Sequence, residues 1–313
     1  MTQAIFLAGL AGFASALLSG MLTPGTMSLA FLFFVAPMPL FLAGFAWHPL
    51  VAALAGLFGA ILIDLATGDR SAIAFASIMA LPAFSMSAMA ERIFASPDRS
   101  LAKDGISTGQ IALAATMYIA LVVVASAIWI EPDYAAFMQR LRTFVVEGLR
   151  LMATPGSPLA NDPATLARFA DLMTAIMLPM SGLVIVAMLA LSAGLGAIVA
   201  ERSGRMAFPK PSFNAFRLPG GSLILFGAAL LISLWGGYLS VFAEIVALGM
   251  ALFLMLQGMA VLHTRLQGNA SRGFLLAAAW ASVLVFGFPA LLFVGAGIAD
   301  HLLDLRSRKG TGG

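Results

Sequence analysis

Apolar residues in this chain come in blocks long enough to cross a bilayer, separated by short polar stretches, from the first residues to near residue 299. Such windows lie at 4–22, 28–46, 49–66, 71–90, 111–130, 173–199, 222–239, 241–263 and 274–299, and all 17 lysines and arginines fall outside them. A water-soluble helix must keep a polar face. A bilayer instead expels charge, because an ionised side chain at mid-depth costs at least a few kcal/mol. The pattern predicts an all-α fold, a polytopic transmembrane helical bundle of about eight spans, with eight to nine allowed by the windows.

The punctuation is consistent with that reading. Thr23-Pro24-Gly25-Thr26, Trp47-His48-Pro49 and Thr67-Gly68-Asp69-Arg70 read as turns, and longer polar loops run from Glu91 to Gln110 and from Glu201 to Gly220. The largest departure is the stretch 131–172. There Phe137, Leu141, Phe144, Val145, Leu149 and Met152 share one helical face, and Gln139, Arg140, Arg142, Glu147 and Arg150 share another. This is an amphipathic helix suited to the headgroup layer; a lid over a substrate site is the sharper alternative. Asp162-Pro163 then supplies an N-cap and first-turn proline for a helix that runs on into the next span. One integral membrane domain covers residues 1–309, with 131–172 as an extramembrane excursion and 310–313 as a flexible tail. Loops 91–110 and 200–220 satisfy the positive-inside rule when cytoplasmic. Nine alternating spans would then leave Arg306, Arg308 and Lys309 outside; eight spans with both termini cytoplasmic remove the conflict.

Composition narrows the class further. Hydrophobic residues make up 61% of the 313 and charged residues 10%, which excludes disorder and a secreted disulfide scaffold. The chain has no cysteine, so disulfides, iron–sulfur ligation and thiol nucleophiles are out. A net charge of +3 with the arginines in loops points to the lipid bilayer as partner and to no nucleic acid. Ala14-Ser15-Ala16 resembles a signal-cleavage site, but no Lys or Arg precedes it and the apolar run continues, so an uncleaved first span is expected.

Candidate chemistry is sparse. In the first span Ala4, Ala8, Gly12, Ala16 and Gly20 form a ridge of small residues. Close backbone approach along such ridges drives helix association in lipid. Ordinary intramolecular packing and docking of another membrane subunit are both open. Pro37 and Pro39 interrupt the second window, and backbone freed at membrane depth must meet protein or a polar cavity, so they point to a central cavity. Asp64 and Glu244 are the acids inside the windows; an intramembrane carboxylate is a candidate cation, proton or substrate site, although both lie near window ends. Gln257 and Trp235 add polar or aromatic lining nearby, Trp235 and Tyr238 also reading as an interfacial belt. No metal-spaced His/Glu pair, nucleophile elbow or phosphate loop is present. No catalytic residue, no metal and no cofactor are expected, and the chain is not expected to be an enzyme.

The stretch from Ala36 through Trp47, together with Gln257 to His263 and Gly297 to Arg306, resembles the YybS-like family of bacterial integral membrane proteins. That family is more distantly similar to the substrate-binding components of energy-coupling-factor transporters. Those components dock their partner through small residues on the first helix, a part Ala4, Ala8, Gly12, Ala16 and Gly20 would play here. The resemblance implies a multi-pass protein of the bacterial cytoplasmic (inner) membrane, transporter-like, that binds an unknown small molecule in an intramembrane cavity. Its membrane partner would be an energising module or an envelope protein. The alternative is a non-transporting scaffold or assembly factor for the cell envelope. No signature names a substrate, and the span count exceeds the six usual for such components.

Overall fold

The computed structural model describes residues 2–20, 32–95, 106–152 and 162–306. The turn expected at 23–26, part of the 91–110 loop and the 310–313 tail fall outside them. Among the described residues there is no strand. The helices are α1 (Thr2–Ser19), α2 (Met38–Ala46), α3 (Pro49–Thr67), α4 (Asp69–Phe94, with a π-helical turn at Ala76–Ala80), α5 (Ile106–Ile130) and α6 (Tyr134–Met152). After them come α7 (Pro163–Arg202), α8 (Ser222–Ile232), α9 (Gly237–Arg265), α10 (Arg272–Phe286) and α11 (Pro289–Leu303). Among the described residues five segments are long and apolar enough to cross a membrane, namely α3, α4, most of α5, α7 and α9; α1, α8, α10 and α11 are shorter apolar helices. Two compact units form, one from residues 1–115, 186–223 and 250–313, the other from 116–185 and 224–249.

Within the first unit α1 and α3 pack inside out relative to a soluble core, although large side chains such as Phe41, Met188 and Leu254 are buried elsewhere in it. On α3 the buried positions are the small ones (Val51, Ala52, Ala55, Gly56, Gly59), while Leu50, Leu57, Ile61 and Leu65 face outward. The same division runs along α1: Ala8, Gly12 and Ser15 are buried, and Phe6, Leu10, Phe13 and Leu17 are exposed. Lipid gives no hydrophobic gain for burying a large side chain, so helices meet where their backbones can come closest. At Gly12 a β-carbon would lie 2.9 Å from Gly59 N and 3.0 Å from Phe58 Cβ. Two of the five ridge positions, Ala8 and Gly12, are thus covered by the chain itself; Ala4 and Ala16 are half-buried and Gly20 is exposed.

The second apolar window does not form one long helix. Residues 32–35 make a 3-10 turn, and α2 starts only at Met38, with Pro37 preceding it and Pro39 in its first turn. There the missing proline N–H is one the helix would not have used. The carbonyls freed by this irregular stretch are met by serines: Ser15 Oγ donates to Ala36 O at 2.7 Å and Ser192 Oγ to Phe34 O at 3.1 Å. Both serines are fully buried. Ser15→Ala therefore strands a buried carbonyl and is expected to cost about 1–3 kcal/mol. Ser19→Ala, which loses only a local bond to Ala16 O, serves as the near-neutral control when thermal unfolding is compared in detergent.

One end of the first unit is strapped by residues 203–221. Ala207 N donates to Phe45 O at 3.0 Å, Phe208 stacks on Phe94 and meets Phe45 edge to face, and the Arg205 guanidinium lies 5.6 Å from the Trp47 ring centre. The strap thereby covers the end of α2 and the end of α4. A β-carbon on Gly109 would lie 2.8 Å from Leu218 Cα, so the start of α5 is at this end too. Arg202, Arg205, Lys210, Arg217, Arg265 and Arg272 belong to it, whereas Asp64, Asp69 and Arg70 lie at the opposite ends of α3 and α4.

In the second unit α6 lays part of its apolar face on protein. Phe137 and Val145 are buried, while Phe144, Leu151 and Met152 stay exposed. Ion pairs tie it on both sides, Arg140 to Glu131 at 3.0 Å and Arg142 to Asp171 at 2.6 Å. The sequence-expected cap at Asp162 is present: its carboxylate accepts from Ala164 N at 2.9 Å and from Thr165 Oγ1 at 2.5 Å. The Thr165 hydroxyl first, then the Ala164 N–H, hold the Asp162 carboxyl below its ordinary value. From this cap α7 runs without interruption through 40 residues, about 60 Å and twice a bilayer's hydrocarbon thickness. Its polar first turns, residues 163–172, account for about half of the excess.

Candidate functional site

Asp300 is the most heavily invested side chain in the first unit. It sits near the end of α11 with no solvent exposure. Arg306 reaches it as a fork, Nε to Oδ1 at 3.2 Å and Nη2 to Oδ2 at 2.8 Å. Gln257 Nε2 donates to Oδ2 at 2.8 Å, and Arg217 Nη2 lies 4.0 Å from the same oxygen. The six-residue separation between Asp300 and Arg306 is no helical spacing. It works because Asp304 ends α11 in the left-handed conformation (φ 47°) and turns the chain back; aspartate is among the few residues that tolerate this.

The other partners close the network. Arg217 pairs with Asp304, and Arg306 Nη1 donates to Asn214 O at 2.6 Å. Gln257 accepts from Leu218 N at 3.0 Å, which couples α9 to the strap. Two carboxylates and two guanidiniums balance, and every oxygen of Asp300 has a donor. A buried carboxylate gripped by that many donors is held in one place. Chemically the cluster is a clamp that gathers the strap, α9 and the end of α11. His263 Nε2 and His301 Nδ1, on the last turns of α9 and α11, are buried without hydrogen-bond partners. Among the described residues no three His, Asp or Glu side chains gather as metal ligands would.

A second feature lies between α1 and α2. A pocket of about 220 Å³ is lined by Leu7, Leu10, Ala11, Pro39, Leu42, Ala43 and Trp47. It is apolar and smaller than the usual range for a drug-sized ligand, about 300–1,000 Å³. Of the residues singled out from sequence, only Pro39 lines it. Pro37 is buried just before α2, and Asp64 is exposed near the end of α3. Gln257 is in the carboxylate cluster instead. In the second unit Glu244 is half-buried, with Ser240 Oγ 2.9 Å from its Oε1. Trp235 is 83% exposed in the turn between α8 and α9. Tyr238 is no free belt residue: its hydroxyl donates to Glu131 O at 2.5 Å and its ring packs edge-on against Tyr134.

Sequence reasoning missed Asp300, Arg306, Arg217 and Asp304 as a set. Asp300 stands one residue beyond the last apolar window, so it did not count as an intramembrane acid. By length and composition of its helices, with bulky apolar side chains turned outward around a buried ion-pair network, the chain has the make-up of a helical membrane protein. Beyond that class, it matches no known protein family, no characterised protein and no solved structure.

Proposed function

We propose that this is a multi-pass, transporter-like protein of the bacterial cytoplasmic membrane that holds a small apolar group in the pocket between α1 and α2. The strapped, arginine-rich end would face the cytoplasm under the positive-inside rule. The pocket carries the proposal. It lies beside the irregular 32–37 stretch, and its volume suits a single ring or the branched end of an acyl or prenyl chain; an apolar cavity of about 150 Å³ already holds benzene. Leu10, exposed at its rim, would be the point of entry. The mechanism is binding and release without covalent chemistry.

Trp47 in the pocket wall makes the test direct. Bromobenzene titrated into the detergent-solubilised protein is expected to quench emission saturably, with the signal lost in Trp47→Phe and weakened in the pocket-filling Leu42→Phe. Linear, non-saturating quenching that is the same in wild type and Leu42→Phe would sink the proposal.

A second reading, a non-transporting envelope scaffold, is favoured by the complete satisfaction of Asp300, which leaves that cluster nothing with which to bind cargo. Stable co-purification with envelope proteins, together with no saturable quenching by bromobenzene, would mark it.

A further inference from the structure

The last apolar window, read as one span, is two helices, and their directions carry a consequence for the membrane. α9 and α11 run the same way. Gly258 packs on Phe293 and Gly297, Gln257 bonds Asp300, and Arg265 Nη2 donates to Leu305 O at 3.0 Å, so contacts climb both helices together. Were the window 274–299 one span it would run opposite to α9 throughout; its second half does not. Each glycine faces the carbonyl four residues before the other, Gly258 that of Phe293 and Gly297 that of Leu254, so Gly297 lies level with Gly258 and the start of α11 near residue 250 of α9, about fifteen residues and 22 Å short of the end of α9. The intervening α10, 15 residues long and about 22 Å, goes back over that distance. The reversal is at Gly287 (φ 71°, ψ −53°), where Phe288 N donates to Phe286 O at 2.8 Å. This is a classic γ-turn, which for an L side chain is strained and for glycine is not.

We infer that α10 and α11 form a re-entrant hairpin, entering the bilayer from the strapped, arginine-rich end and returning to it, with lipid acyl chains around its tip. Each arm, at about 22 Å, is shorter than the ~30 Å hydrocarbon core. Residues 273–299 contain no ionisable side chain. Around the turn Leu284, Val285, Phe286, Phe288, Leu291 and Leu292 are 67–80% exposed, a continuous apolar surface that water would not tolerate. Charge gathers at the base alone: Arg272 opens the first arm, and the Asp300–Arg306 clamp closes the second. Lipid is the occupant these features fit, apolar at the tip and ionic at headgroup level. The odd-numbered ninth window thus adds no crossing, and the eight preceding segments return the C-terminus to the side on which α1 begins.

The cysteine-free chain allows single-site labelling. Gln267→Cys, before the hairpin, and Thr311→Cys, after it, are expected to react with a membrane-impermeant maleimide from the same face. Phe288→Cys is expected to react from neither face, but with a lipid-soluble maleimide. Labelling of positions 267 and 311 from opposite faces, or of 288 from the far face, overturns the inference. A benzophenone amino acid at position 288 identifies the occupant: lipid adducts support the assignment, and a covalent dimer of the chain would replace lipid with a second copy and overturn it. The outcome does not depend on ligand binding at the α1–α2 pocket.

Discussion

Asp300→Ala is expected to destabilise the protein by about 3–5 kcal/mol, the cost of leaving a buried guanidinium without its carboxylate. Arg306 is the stranded partner, since its side chain is only 10% exposed and its fork is shaped for that one acid. Arg217 suffers less because it keeps Asp304. Gln257→Leu is expected to cost less, about 1–3 kcal/mol, because it removes one donor to Asp300 and leaves the Leu218 N–H without an acceptor, but isolates no charge. The decisive measurement is a double-mutant cycle with Asp300→Asn and Arg306→Gln, read by denaturant unfolding in detergent. The double variant should recover much of the loss, since neutral groups need far less solvation than a lone buried charge. Additive losses would mean that the two side chains do not act as a pair.

Gly297→Leu is the second change expected to be severe. A β-carbon there would overlap the Leu254 carbonyl, just as one on Gly258 would overlap the Phe293 carbonyl. Both obstacles are backbone, so no side-chain rotation relieves them, and the helices must separate. Overpacking of this kind costs about 1–3 kcal/mol, occasionally more. Here the larger figure is expected, because moving α11 off α9 also pulls Asp300 from Gln257. Gly295→Ala, two residues earlier on α11, meets nothing within 4 Å and should be neutral or stabilising by up to about 1 kcal/mol, the helix preference of alanine over glycine. Thermal unfolding of the two variants side by side separates a packing contact from a general intolerance of α11 to substitution. Equal melting temperatures would remove Gly297 from the interface.

Much of the helical framework was legible from residue pattern. The apolar blocks mark where α3, α4, α5, α7 and α9 run, the polar–apolar division of residues 137–152 marks α6, and Asp162-Pro163 marks the start of α7. The small face of α1 signalled close packing, and that face meets α3 and the carbonyl of Ala36. The prolines at 37 and 39 correctly flagged irregular backbone. What satisfies it could not be read from them, because Ser15 and Ser192 are distant in sequence and serine is common in membrane helices. The Gly287-Phe288-Pro289 punctuation was available as a break signal, yet lies inside an otherwise unbroken apolar run.

Hydrophobicity is a property each residue carries along the chain, so block length, charge exclusion and helical class follow from order and composition alone. Direction and partnership are not carried that way. A γ-turn reverses α10 into α11 without altering how apolar either one is, and Asp300 finds Gln257, Arg217 and Arg306 only after four separate segments have converged. Those features come from backbone angles at Gly287 and Asp304 and from the fit of Gly258 against Gly297, which only three dimensions can express.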